Sequence, residues 1–519
     1  MRLRFTIVTV SAVCMLAATA SGDSPYERTD WTTPANAVDE HVLAVLAERS
    51  LTPANPCSDE VFVRRVYLDV IGTLPQPAEV TAFLEDTRPD KRAMLIDALL
   101  ARPEFADYWS LKWCDLLRVK AEFPINLWPN AVQAYHRWVH DALARNMPYD
   151  EFARQLLTSS GSNFRVAPVN FYRALQGREP ATIAAAVALT FMGTRVEHWP
   201  ADRRRDLEVF FARVAYKTTA EWKEEIVYLD PTPAKTRAAV LPDGTAVRLE
   251  AGSDPRRVFA DWLIQPGNPW FARAVVNRIW AWLFGRGIIH EPDDLRPDNP
   301  PVNAALLACL EQELVQARYD LRHVYRLILN SRTYQQSAKP RTASPDAERL
   351  CACYPIRRLD AEVLIDALNQ VFGATEGYSS AIPEPFTHIP ERERTIALAD
   401  GSITSPFLEL FGRPARDSGL FSERNNQPSD AQRLHLLNSS HIQKKIAESE
   451  RLRAILRSSG RDRRAAVRTL YLLMLSRAPT AAELSTAEAY FNTPRVKPRQ
   501  ALDDLAWALI NTKEFLYRH

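Results

Sequence analysis

The sequence predicts a mainly α-helical protein, built as two helical domains with a small β-hairpin insertion between them. Three observations carry this expectation. Apolar residues recur at helical spacing through most of the chain. The 36 prolines outnumber the 16 glycines, as expected of helices joined at proline-marked corners. Strand-like patterning is confined to 224–252, where EEIVYLD is followed by AAVLPDGTAVRLE with its Asp243-Gly244 turn signal.

Taken in order, residues 1–20 read as a secretory signal. Arg2 and Arg4 supply the charged start, FTIVTVSAVCMLA the apolar core and AATASG the small residues for cleavage. Residues 21–37 form a polar, flexible lead-in. The first helical domain is expected over 38–223. Ser58 caps the helix carrying VFVRRVYLDVIG, and Gly72 ends it. Further helices follow in KRAMLIDALLARPEFADYWSLKWCDLLRVK, at 131–146, in the Ala-rich 181–192 stretch and at 203–216. The β insertion or linker occupies 224–253, and the second helical domain 254–519. There Thr480 and Glu483 make a capping box, while 374–400 reads as a long surface loop.

The second domain opens on DPRRVFADWLIQPGNPWFARAVVNRIWAWLFGRGIIHEPDD, the densest Trp and Arg stretch of the chain. Asn268 is expected to cap a helix with Pro269 in its first turn, and Gly285 to end it. Phe271, Val275, Ile279, Trp282 and Leu283 form one apolar stripe, and Trp270, Ala274, Ala281 and Phe284 leave little polar face opposite. A helix apolar nearly all round is a buried helix. Arg273, Asn277 and Arg278 would be buried with it, with Asp261, Glu291, Asp293 and Asp294 as acidic partners. The structural reading, an internal clamp on the following loop, leads; the functional reading makes the same residues a ligand site. A second polar group, Arg413, Arg416, Asp417, Glu423 and Arg424, is expected to join it if a ligand site exists. Trp270, Trp280 and Trp282 would then supply aromatic walls, a combination suited to a sugar or an anionic glycan.

Charge excludes little but points away from nucleic acid. The chain has 65 basic and 63 acidic residues, and loss of Arg2 and Arg4 with the leader leaves 63 of each. No window after the leader is apolar enough to span a membrane. Cys57, Cys114, Cys309, Cys351 and Cys353 remain, an odd set without CxxC, so no disulfide framework is expected; Cys351 and Cys353 would point apart on a strand.

Two blocks carry a family resemblance. DEVFVRRVYLDVIGTLPQPAEVTAFLED and WSLKWCDLLR resemble the domain of unknown function 1549, the second planctomycete cytochrome-associated domain. The Trp/Arg block, DLRHVYRLILNSRTYQQS, RRLDAEVLIDAL, HLLNSSHI and INTKEFLYR resemble the domain of unknown function 1553, the planctomycete-specific domain one. The resemblance implies an exported protein of no established biochemical role. Many relatives carry a CxxCH-type stretch after a segment like ALTFMG; here only His198, Trp199 and Pro200 remain, and no cytochrome c domain is present. No haem or other cofactor is therefore expected on this chain.

Other chemistry is sparse. His136 and His140 stand one helical turn apart, which is half of a zinc site; no metal is expected without a third ligand. Ser160 and Ser162 lie in a loop without a recognisable base. Arg358, Glu362 and Asp366 are spaced for an i,i+4 salt-bridge ladder. Three functions stay open. The leading one is a non-catalytic binding or assembly component of the periplasm or cell envelope, with an envelope protein or glycan as partner. The others are a hydrolase acting on envelope or environmental polysaccharide, and an accessory subunit of a cytochrome system without its own haem.

Overall fold

A computed structural model describes residues 25–29, 36–232 and 235–519. The leader and most of the lead-in lie outside the described residues. The described residues are mainly α-helical with three small sheets. Among the described residues no helix is long and apolar enough to cross a membrane.

Helices begin where the sequence supplies caps. Asn36 and Asp39 form a capping box on the Ala37–Glu48 helix, and the buried Asp39 carboxylate also accepts from the Arg332 and Thr333 backbone N–H groups. Ser58 caps Asp59–Val70 through the Val61 N–H, and Thr480 and Glu483 box the start of Ala481–Phe491. The Asp59–Val70 helix is buried on nearly every face. Its Arg64 donates to the Met474 and Phe515 carbonyls, and Arg65 to those of Tyr334 and Gln336. One apolar core therefore runs through the early helices and the end of the chain alike.

The sheets are antiparallel. Strands β1 (Gly161–Ser162), β2 (Val214–Thr218) and β3 (Glu225–Leu229) associate in the order β1-β3-β2. Strands β4 (Arg237–Val240) and β5 (Ala246–Leu249) make the hairpin about Asp243-Gly244. Strands β6 (Arg357–Arg358) and β7 (Tyr517–Arg518) tie the chain end to the middle of the second half.

Several expectations need correction. The 203–216 helix stops at Glu208. Phe210 and Phe211 turn inward onto Phe259, and Val214–Thr218 pairs with β3 instead. Part of the lead-in is held: Glu27 bridges to Cys57 and Pro25 accepts from Ser58 Oγ. Cys351 and Cys353 lie in a turn, not a strand, with Cys351 at φ 59°; both are buried free thiols. The 374–400 segment is not all surface loop. Thr395 and Ile396 are buried in a short 3-10 turn because their N–H groups donate to the buried Asp366 carboxylate.

Candidate ligand-binding cavity

The Phe271–Phe284 helix is buried along almost its whole length, because apolar side chains occupy both of its faces. Phe271 stacks on Tyr149 at 4.6 Å, and Trp282 meets Trp109 and Trp113, each at 5.6 Å. The helix starts two residues later than Pro269 suggested. Asn268 still serves its N-terminus, accepting from the Trp270 and Phe271 N–H groups. Gly285 closes it in the left-handed conformation at φ 75°.

The polar residues of this helix divide. Arg278 pairs with the fully buried Asp293 at 2.6 Å and also donates to the Thr190 and Leu189 carbonyls. Asn277 exchanges two hydrogen bonds with the Ile289 backbone, both 2.9 Å. These contacts clamp 287–293 against the helix. Arg273, expected inside, is 41% exposed at its side chain and pairs with Glu311. Asp261 pairs with Arg154 at the surface, and Asp294 with Arg296.

The second polar group is drawn onto two carboxylates, the half-buried Asp115 of the Pro103–Leu116 helix and the buried Glu362 of the Ala361–Phe372 helix. Arg416 reaches Asp115 at 2.9 Å; Arg424 bridges Asp115 at 2.6 Å and Glu362 at 2.7 Å; Arg413 lies 3.4 Å from Glu362. Asp417 takes Lys120, and Glu423 accepts from the Asp417 and Ser418 N–H groups. The expected Arg358–Glu362–Asp366 ladder does not form. Arg358 lies in β6 ahead of the helix and donates to the Phe411, Asn425 and Asn426 carbonyls. Asp360 holds Lys112 at 2.8 Å, Arg518 at 3.3 Å and the Asn426 amide at 2.6 Å.

Between the C-terminal half of the Phe271–Phe284 helix, the 285–291 turn, the β6 region and the 419–428 loop lies a cavity of about 790 Å³. Of the expected residues Arg278, Glu291 and Arg424 line it, together with Trp280 and Trp282; Trp270 packs on Trp262 elsewhere. Arg273, Asn277, Asp293, Asp294, Arg413, Arg416 and Glu423 stand behind the wall or away from it. The lining adds Lys112, Asp115, Arg286, His290, Arg357, Arg358, Asp360 and Asn426, which the sequence does not bring together. The GRG turn with its nearby histidine was the available signal for Arg286 and His290.

Electrostatics follow from burial and pairing. Burial alone would raise the Asp115 carboxyl, but the Arg424 and Arg416 guanidinium groups bring it below its ordinary value. Burial likewise opposes ionisation of Asp360, and Lys112, Arg518 and Arg424 hold it well below the usual carboxylate range. Burial lowers the Arg358 guanidinium, with Asp360 opposing. His290 is lowered by burial, against the pull of Glu291 3.4 Å away, so it is neutral at neutral pH.

The remaining candidates are accounted for by local contacts. His136 and His140 share a helix face with ring centroids 6.3 Å apart, but His140 bonds Asp107 at 3.1 Å. No group of three potential metal ligands occurs among the described residues. Ser162 donates to Glu224 at 2.5 Å, and Ser160 accepts from Arg256.

Two family models match the chain. One, PSCyt2, protein of unknown function (DUF1549), covers residues 37–198; the other, PSD1, protein of unknown function (DUF1553), covers residues 255–491. No curated protein and no solved structure matches it.

Proposed function

We propose, from the premise that this chain belongs to the proteins in which a DUF1549 domain is followed by a DUF1553 domain, that it is a non-catalytic binding component, exported to the periplasm or cell envelope. Its ligand occupies the cavity beside the Phe271–Phe284 helix. A volume of about 790 Å³ falls in the range of small-molecule sites. The observation that carries the reading is the state of two cation-bound carboxylates of the cavity, the half-buried Asp115 and the buried Asp360. Asp115 and Asp360 are each bound to cations and held below their ordinary values. A polysaccharide hydrolase needs one carboxyl group raised, as proton donor, facing a second across the cleft. These two acids are tuned the other way.

The test incubates the purified full chain with envelope polysaccharide fractions and follows two signals, retention of polymer and release of reducing ends. The reading predicts retention without release. It also predicts loss of retention for Ile356→Trp, since Ile356 lines the cavity and is 52% exposed, so the larger ring obstructs the opening without entering the core. Reducing ends produced in proportion to protein and time would overturn it, as would retention untouched by Ile356→Trp.

A further inference from the structure

The cavity wall carries polar groups that the protein itself leaves unsatisfied. Seven lining residues are Lys or Arg and four are Asp or Glu. Five of the cations are committed: Lys112 to Asp360, Arg278 to Asp293, Arg349 to Asp346, Arg357 to Asp69, and Arg424 to Asp115 and Glu362. Two are not. Arg286 is exposed and has no ion pair among the described residues. Arg358 is only 4% exposed, yet it binds backbone carbonyls alone, and its Nη1 has no hydrogen-bond partner. A guanidinium taken out of water without a counter-anion is costly, and an arriving anion removes that cost. Of the lining acids without a Lys or Arg partner, Glu348 is exposed, and Glu291 is 38% exposed at its side chain although its Oε2 is turned inward. They therefore oppose an anion less than the buried Arg358 favours it.

Anion affinity alone does not describe the wall. The Asn426 Oδ1 and Glu291 Oε2 atoms, both buried, also lack partners, and both accept only. The neutral His290 ring offers a further unpartnered nitrogen, Nδ1. Beside these groups stands the exposed apolar side chain of Ile356, with the half-buried Trp282 next to it. Unmet donors call for carboxylate or hydroxyl oxygens, and unmet acceptors call for hydroxyl hydrogens. Apolar walls beside both suit the C–H face of a sugar ring.

We infer that the ligand of this cavity is an acidic saccharide, its carboxylate held by Arg286 and Arg358 and its hydroxyls by Asn426, Glu291 and His290. The inference rests on the binding reading and names its ligand class. An inorganic oxyanion satisfies the guanidinium groups but brings at most one or two hydroxyl hydrogens for Asn426, Glu291 and His290, and no C–H face for the apolar wall. A neutral sugar satisfies these but leaves Arg358 without a counter-anion.

Calorimetric titration of the full chain tests it with digalacturonate, the neutral digalactose of the same linkage, inorganic phosphate and the dipeptide Asp-Glu. Digalacturonate is expected to bind at least about tenfold more tightly than each of the other three, the worth of one charge-assisted hydrogen bond or more. Arg286→Gln, at an exposed position where folding is not at stake, is expected to weaken digalacturonate about tenfold and leave digalactose unchanged. Arg286→Lys keeps the charge and should recover part of the loss. Equal affinity for digalactose, or indifference to Arg286→Gln, overturns the carboxylate assignment. Equal affinity for phosphate or Asp-Glu overturns the saccharide assignment. Absence of binding by all four overturns the inference as a whole. The binding reading fails separately, by the appearance of reducing ends or by retention indifferent to Ile356→Trp.

Discussion

Replacing Asp293 by Asn tests how the central helix is held. Asp293 is fully buried, and its two carboxylate oxygens serve two elements. Oδ1 pairs with Arg278 at 2.6 Å and Oδ2 accepts from the Phe421 N–H at 2.5 Å. Asn keeps the shape and one acceptor, so the Phe421 contact survives. It removes the charge opposite a guanidinium that is itself 2% exposed and otherwise held by the Thr190 and Leu189 carbonyls. Removing one partner of a buried pair costs about 3–5 kcal/mol, because the remaining charge is stranded in the interior. Against typical stabilities of about 5–15 kcal/mol, that is a large fraction. Guanidinium-chloride unfolding followed by tryptophan fluorescence reads the change, and the midpoint should fall accordingly. The double change Arg278→Met with Asp293→Leu removes both charges and should recover most of the loss, since an apolar pair of similar volume replaces a buried ion pair at little cost. A loss below about 1 kcal/mol for Asp293→Asn is the value of a solvent-exposed pair and would refute the burial argument. So would a double variant as unstable as the single one.

Three further outcomes follow from the same contacts. Burial, with Arg416 and His140 nearby, lowers His136 to about 3, whereas an unfolded histidine titrates near 6.5. Only the unfolded chain takes up this proton between those values, so the contribution is full above pH 6.5 and is lost as pH falls; at pH 5 the loss is about 2 kcal/mol, and His136→Gln should flatten the stability profile between pH 7 and 5 by that amount. Asp115, Glu362 and Asp360 are all held below their ordinary values against burial by their Arg and Lys partners. Their stabilisation is present above the unfolded carboxylate range, near pH 4, and fails as pH falls further, so acid unfolding should begin there and shift to higher pH in Arg424→Gln. Gly412 has φ 81°, and a methyl group there would overlap the Asn425 carbonyl. Gly412→Ala should cost about 1–3 kcal/mol in thermal unfolding and weaken cavity ligands, because Asn425 and Asn426 carry the carbonyls that hold Arg358.

The burial of the central helix was legible because both of its faces are apolar, and a local pattern suffices for that inference. The Arg278–Asp293 pair was legible too, since its partners are 15 residues apart and joined by one short turn. Arg273 was misplaced because five residues of helix turn its side chain about 140° from Arg278, toward Glu311. The cavity wall was largely illegible. Lys112 meets Asp360 across 248 positions, and Arg424 meets Asp115 across 309, so no window of sequence brings them together. Arg358 was assigned to a helix because its spacing to Glu362 fits one. The pairing of β6 with the last residues of the chain, a contact no local signal announces, removes it from that helix and turns it toward the 411–426 carbonyls. The 203–216 stretch failed for a related reason: its amphipathic period holds only to Glu208, after which pairing with β3 decides the conformation.

The most direct test of the account is a crystal structure of the full chain grown with digalacturonate. The account predicts an intact disaccharide in the cavity beside the Phe271–Phe284 helix, with its carboxylate oxygens within hydrogen-bond distance of Arg286 or Arg358. A disaccharide bound elsewhere, or one found cleaved between Asp115 and Asp360, would contradict it.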